Sequence, residues 1–117
     1  MEWSASAFPK TERVLTREGF VNLNRFGRKL RTANFTIFIA KNSLGYSRLG
    51  ITASRKVGGA VVRNRVKRLI REVFRLYKPF FPSGCDIVIA AGKNAGNLGF
   101  REVKEELLER VSHSTFD

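Results

Sequence analysis

The sequence predicts a single α+β domain in which helices are layered on a mixed sheet. Three observations predict it: segments with two-residue apolar alternation, segments with a helical apolar stripe, and the order in which the two alternate along 117 residues. The predicted order is α-β-β-α-β-α, with a weakly indicated extra strand near residues 28–31. A chain of this length buries one modest core, so we expect one domain.

An arm and a short helix are predicted before the first clear strand. Residues 1–12 lack periodicity, which indicates a flexible N-terminal arm ahead of a domain over residues 13–117. Thr16 opens a helix that ends by Gly27, and one of its faces is apolar. That face carries Phe20, Leu23 and Phe26. Either it packs into the core, or it presents Phe20 at the edge of a groove, where the ring stacks on a nucleic-acid base.

The clear strands are predicted from alternation and from one apolar run. In Phe35–Lys41 one face carries Phe35, Ile37 and Ile39, and the other carries Thr36, Phe38 and Ala40. Residues 48–55 form a second strand, in which the face with Gly50, Thr52 and Ser54 is small and polar and leaves room for a ligand backbone. Cys85–Ala91 is almost continuously apolar, which is typical of a central strand.

The segment between residues 55 and 78 dominates the charge of the chain. It holds nine cations and one anion, a net +8 of the +12 of the whole chain. A helical wheel places an apolar stripe opposite a cationic face, and Pro79 ends the helix after about five turns. The stripe comprises Val62, Val66, Leu69, Ile70, Val73 and Tyr77; the cationic face comprises Asn64, Lys67, Arg68, Arg71, Arg75 and Lys78.

The cationic face favours a polyanionic partner. Like charges at i and i+4, such as Arg71 and Arg75, repel by a few tenths of a kcal/mol, roughly. Arg63 and Arg65 add to this cost because the first turn of a helix favours anions. A solvated face is the alternative, but such faces normally mix signs. Because the arginine fork fits phosphate oxygens, we predict that this helix binds nucleic acid.

The groups required for protein-based catalysis are not assembled in the sequence. Asp86 and Asp117 are the only aspartates, His113 is the only histidine, and the single cysteine, Cys85, is interpreted as a buried strand residue. The last helix starts near Gly99 with an apolar stripe of Phe100, Val103, Leu107 and Val111. Its glutamates (Glu102, Glu105, Glu106 and Glu109) form an acidic surface that we expect to face away from the nucleic acid. We therefore predict no protein active site.

The basic segment resembles a known family signature. The run K-V-G-G-A-V-V-R-N-R-V-K-R-L-I-R, preceded by L-G-I-T-A-S-R, is similar to that of the bacterial ribonuclease P protein subunit, over about residues 13–112. The resemblance implies an αβββαβα sandwich with a mixed four-stranded sheet and a left-handed βαβ crossover through the basic helix, whereas general topology rules favour a right-handed one. It also implies a catalytic RNA subunit that removes the 5′ leader of precursor tRNA, with Mg²⁺ held mainly by that RNA and no cofactor held by protein side chains.

The resemblance assigns two sets of binding residues. Arg55, Lys56, Arg63, Asn64, Arg65, Lys67, Arg68, Arg71 and Arg75 are expected to bind the catalytic RNA. Phe20, Phe38, Thr36, Arg17, Thr52 and Ser54 are expected to bind the leader. Two other functions remain open from the residues alone: a ribosomal or other structural RNA-binding protein, and a DNA-binding module. No apolar run approaches the length of a membrane span and no secretory signal is evident, so we expect a cytoplasmic protein without membrane or small-molecule partners.

Overall fold

Four strands form one mixed sheet in the computed structural model, which describes residues 27–112. The strands are β1 (Arg28–Arg31), β2 (Phe35–Lys41), β3 (Arg48–Ala53) and β4 (Cys85–Ala91), in the spatial order β1-β2-β4-β3. β2 pairs antiparallel with β1 and with β4, whereas β3 pairs parallel with β4. The predicted α+β class, the mixed sheet and the extra early strand are confirmed.

Two helices complete the described part of the fold. Helix α1 (Ala60–Leu76) connects the parallel strands β3 and β4, as the predicted βαβ unit requires, and α2 (Phe100–Ser112) follows β4. Neither helix is long and apolar enough to cross a membrane. The predicted helix between residues 16 and 27 and the predicted arm over residues 1–12 lie outside the described residues, apart from Gly27.

One face of the sheet, the core face, packs against both helices. Because paired residues project to the same side of a sheet, the register sorts the strand residues into two faces. The fully buried centre of the core face comprises Ile37, Ile39, Ile87 and Ile89, joined by Leu30, Phe35, Leu49 and Cys85. From the helices, Val66, Ile70, Val73, Val103 and Leu107 are buried in the same cluster. The predicted buried position of Cys85 is confirmed.

The buried stripe of α1 is displaced from the predicted one. Phe74, which the prediction omitted, is completely buried. Its ring meets that of Phe81 edge to face, with the centroids 5.2 Å apart. Conversely, Val62, Leu69 and Tyr77 are only partly buried. The stripe is displaced towards Phe74 because Phe81 folds back onto the helix from the following segment.

Two predicted boundaries differ from the structure. β3 ends at Ala53 rather than at residue 55, because Ser54 begins a turn in which its carbonyl accepts a hydrogen bond from the Val57 N–H. The basic helix ends at Leu76 rather than just before Pro79, and a 3-10 turn, Lys78–Phe80, follows it. A second 3-10 turn, Ala95–Asn97, lies between β4 and α2.

The acidic side of α2 is partly a structural contact. Glu106 accepts hydrogen bonds from the Asn34 backbone N–H at 2.7 Å, from the Asn34 side-chain amide at 2.8 Å and from the Thr32 hydroxyl. Glu102 accepts from the Gly99 N–H at 2.9 Å and thereby caps the start of the helix. Glu106 therefore ties α2 to the β1–β2 turn, while Glu105 and Glu109 are exposed.

Candidate nucleic-acid interface

Helix α1 carries seven of the residues predicted to bind the catalytic RNA, and they are not equally accessible. Asn64, Arg65 and Arg68 are exposed, whereas Arg63, Lys67, Arg71 and Arg75 are half-buried. The first turn contains no acidic residue, and the N-cap, Gly59, supplies no side-chain hydrogen bond. The N-terminal end of the helix dipole is therefore reinforced by cations rather than offset by a carboxylate, which makes this end electropositive.

Two arginines of α1 are constrained by their surroundings. Arg75 forms an ion pair with Glu72 one turn earlier on α1. Its charge is therefore partly neutralised, and it is a weaker candidate for RNA binding than Arg68. The Nε atom of Arg63 is buried, and no acceptor within the described chain bonds to it.

Arg55 and Lys56 lie in the turn between β3 and α1, and both are exposed. The turn is closed by hydrogen bonds from the Val57 and Gly58 N–H groups to the carbonyls of Ser54 and Arg55, at 3.0 and 3.2 Å. Gly58 has a φ of +151°, and a Cβ there would lie 2.9 Å from the Val62 Cβ. The glycine therefore lets the turn that carries Arg55 and Lys56 approach Val62 in the first turn of α1.

Arg65 makes contacts that the sequence did not indicate. Its Nη1 donates to the Gly96 carbonyl at 3.1 Å, and its Nη2 donates to the Leu98 carbonyl at 2.7 Å. Both acceptors belong to the 92–99 loop, which connects β4 to α2. The exposed arginine is thus bound within the chain as well as facing solvent.

The side of the sheet opposite the core, here called the second face, carries the remaining predicted leader-binding residues. It comprises Lys29 and Arg31 from β1, Thr36, Phe38 and Ala40 from β2, Arg48, Gly50 and Thr52 from β3, and Asp86, Val88 and Ala90 from β4. None of its apolar members belongs to the core cluster. The structure therefore brings Thr36, Phe38 and Thr52 together on one surface, with Ser54 just beyond the end of β3. Phe20 and Arg17 lie outside the described residues.

Phe38 occupies the middle of the second face. It is half-buried and lies directly opposite Val88 on β4 and Lys29 on β1. Gly50 flanks Val88 on its other side and adds no side chain. The Lys29 Nζ lies 5.7 Å from the centroid of the Phe38 ring. The combination of an aromatic ring, a neighbouring cation and a small flanking residue suits a single nucleic-acid strand.

A fixed ion pair marks one end of the second face. Arg48 donates from Nε and Nη2 to the two carboxylate oxygens of Asp86, at 2.8 and 2.7 Å, and the Asn42 amide donates to the same carboxylate at 2.9 Å. Burial raises the pKa of Asp86, but the hydrogen bonds from Arg48 and Asn42 outweigh it and leave the pKa below its ordinary value. The only aspartate of the described chain is therefore a neutralised structural group.

Several acidic and thiol side chains of the described residues are engaged or buried within the protein. No three His, Cys, Asp or Glu side chains between residues 27 and 112 form a group that could hold a metal ion. Asp86 and Glu106 have their carboxylate oxygens engaged by protein donors. Cys85 is buried, and that burial raises the pKa of its thiol. The chemistry available at this surface is charge neutralisation, stacking and hydrogen bonding.

Comparison with known proteins agrees with this geometry. The family model described as Ribonuclease P matches residues 8–114. The ribonuclease P protein component of Syntrophus aciditrophicus is 43% identical over 98 residues, covering 84% of this chain and 82% of the relative. That of Desulforapulum autotrophicum is 44% identical over 101 residues, covering 86% of each chain. The solved RNase P protein from Thermotoga maritima superimposes with a TM-score of 0.82 at 36% identity, covering 90% of this chain and 99% of its own. On this evidence of sequence and fold, the chain belongs to the family of bacterial ribonuclease P protein components.

Proposed function

We propose that this chain is the protein subunit of ribonuclease P and assists a catalytic RNA that removes the 5′ leader from precursor tRNA in the cytoplasm. The observation that carries the proposal is the basic helix, whose first turn has no acidic residue and whose outer side concentrates the excess charge of the chain. The matched relatives carry the name ribonuclease P protein component, which supports the same role.

The proposal assigns one partner to each of two surfaces. The cations of α1 and of the preceding turn neutralise phosphates of the catalytic RNA, so that two polyanions can approach each other. The second face, with Phe38 at its centre, holds the single-stranded leader by stacking and by contacts with Thr36 and Thr52. Stacking tolerates any base, which suits leaders that differ between tRNAs.

Hydrolysis itself is assigned to the RNA subunit and to Mg²⁺ ions that the RNA holds. The polypeptide contributes binding and orientation, which lower the magnesium concentration needed for cleavage. The described residues support this division, because two of their carboxylates, Asp86 and Glu106, already accept hydrogen bonds from protein groups.

Cleavage of a precursor tRNA at low magnesium tests the proposal. The catalytic RNA is assayed alone, with this protein, and with polylysine of comparable total charge. We expect strong stimulation by the protein and little by polylysine, and no cleavage by the protein without the RNA at any magnesium concentration. Cleavage by the protein alone that survives ribonuclease treatment would contradict the division of labour. An absence of stimulation would instead indicate a structural RNA-binding protein.

A further inference from the structure

The contacts of Arg65 point to a role different from that of its neighbours on the basic helix. An exposed arginine on such a helix ordinarily indicates a phosphate contact. Here, both terminal nitrogens of the guanidinium donate to backbone carbonyls, those of Gly96 and Leu98, which lie 31 and 33 residues further along the chain. The planar fork of arginine matches this pair of acceptors, and a lysine ammonium does not.

The loop that Arg65 holds is also packed closely against the helix. A Cβ on Gly96 would lie 2.8 Å from the Val62 Cγ1 and 3.0 Å from the Val57 carbonyl oxygen. The neighbouring Ala95 is completely buried. The backbone of the 92–99 loop therefore touches both the first turn of α1 and the turn that carries Arg55 and Lys56.

The contact between the 92–99 loop and the N-terminal part of α1 is here called the junction, and its place in the fold determines which elements Arg65 can position. β3 and β4 run parallel and end opposite each other, at Ala53 and Ala91. The turn after β3 and the 92–99 loop therefore leave the sheet at the same edge. At this end of the sheet, Thr52 of the second face lies one residue before the end of β3, and the turn that follows leads into α1.

We infer that Arg65 is a positioning residue, which fastens the 92–99 loop to the N-terminal part of α1 and so fixes the basic helix relative to the second face of the sheet. The inference rests on the proposed function, in which the helix binds the catalytic RNA while the second face binds the leader. A loosened junction misaligns these two surfaces. It lowers the affinity of the assembled enzyme for precursor tRNA without removing a phosphate contact.

Three variants of the full chain separate positioning from phosphate binding. Arg65→Lys keeps the charge but loses the fork that reaches both carbonyls. Gly96→Ala leaves Arg65 intact but forces a methyl group against Val62 and the Val57 carbonyl, which displaces the loop. Gly99→Ala is the matched control in the same loop, because its Cβ would meet only the Glu102 Oε1, at 3.6 Å.

Amide hydrogen exchange in the free protein tests the fastening directly. The N–H groups of Asn97 and Leu98 donate to the carbonyls of Asn94 and Ala95 within the loop, and so report its opening. In Arg65→Lys and Gly96→Ala we expect their exchange to accelerate about tenfold, the effect of losing one or two net hydrogen bonds. Exchange in Gly99→Ala should match that of the wild type.

Binding to the assembled enzyme tests the positioning. At saturating catalytic RNA, Arg65→Lys and Gly96→Ala should bind precursor tRNA severalfold more weakly while binding mature tRNA as the wild type does. The core variant Val103→Ala should lower the midpoint of unfolding. Under conditions in which this variant is folded, the ratio of its affinities for precursor and mature tRNA should equal that of the wild type. In both Arg65→Lys and Gly96→Ala, the salt dependence of assembly with the catalytic RNA should match that of the wild type.

Three results would overturn the inference. Wild-type exchange in Arg65→Lys would mean that the two hydrogen bonds do not hold the loop. Faster exchange with an unchanged affinity ratio would leave Arg65 a purely structural residue. A lower salt slope in Arg65→Ala that Arg65→Lys restores would make it a phosphate contact. Failure of the wild-type protein to assemble with the RNA would refute the proposed function instead, and the exchange experiment on the free chain would still decide whether Arg65 holds the loop.

Discussion

Phe38 offers the sharpest test of the proposed leader-binding surface, because a leader contact and a core residue differ in their effect on stability as well as on binding. The ring is half-buried on the second face, opposite Val88, and it does not belong to the core cluster. Replacing it with alanine removes a cross-strand contact worth about 0.2–1 kcal/mol. The same change at a buried core phenylalanine, such as Phe74, costs about 3–5 kcal/mol.

The expected effect on binding follows from base stacking. A base stacked on an aromatic ring contributes ~1–3 kcal/mol, so Phe38→Ala should weaken binding of precursor tRNA about 5- to 150-fold. Mature tRNA lacks the leader and should bind as before. Assembly with the catalytic RNA should be unchanged because α1 is untouched. Phe38→Tyr keeps the ring and should retain most of the affinity for the precursor.

Two measurements distinguish a leader contact from a core role for Phe38. Denaturant unfolding gives the free energy of unfolding of Phe38→Ala and of Phe74→Ala, and titration of the assembled enzyme gives both tRNA affinities. The reasoning is refuted if Phe38→Ala is destabilised as strongly as Phe74→Ala. It is equally refuted if precursor and mature tRNA lose affinity by the same factor.

The other predictions concern three separate residues. Arg68→Ala should weaken assembly with the catalytic RNA and reduce the slope of log affinity against log salt by about one unit, with an unchanged slope counting against a phosphate contact. Asp86→Asn should destabilise the protein at neutral pH and flatten its stability profile in acid. The reason is that the pKa of Asp86 is depressed in the folded state. The stability that its carboxylate contributes is therefore complete above the ordinary carboxyl pKa of about 4 and is lost as the pH falls through the folded value. Unfolding curves across the acid range would show this, and a profile parallel to the wild type would contradict it. Cys85 should react with alkylating reagents only after unfolding, because the thiol is buried and its pKa is raised, and rapid labelling of the native chain would disprove this.

The strands and the basic helix were predictable from local patterns, because burial on one face imposes a period on the sequence. Phe35–Lys41 and Cys85–Ala91 have the bounds that alternation and the apolar run predicted. The end of β3 was wrong by two residues because the hydrogen bonds of Ser54 form a turn that no alternation signals. Phe74 was omitted because its burial depends on Phe81, which a loop returns to the helix.

The composition of the site was partly predictable and its geometry was not. Local sequence shows that Arg65 is a cation on a helix, but its carbonyl acceptors lie in another segment and only the folded chain brings them together. Arg48 and Asp86 are likewise 38 residues apart in sequence, and no local pattern pairs them. Lys29 was missed as a neighbour of Phe38 because the pairing of β1 with β2 was only weakly indicated. The assignments of individual residues to catalytic RNA or leader remain predictions.

The strand order has a consequence for how the chain acquires its structure. β2 and β3 are successive in sequence, but they do not pair with each other, and each instead pairs with β4, the last strand of residues 27–112. During synthesis, β1–β2 is the only strand pair of residues 27–112 that can form before residue 85 leaves the ribosome, while the whole basic helix has already been made. Closing the sheet then requires contacts of long sequence separation, which are slow to form. The cationic segment is thus available to polyanions before the fold is complete, so RNA that binds it early would act on folding as well as on assembly.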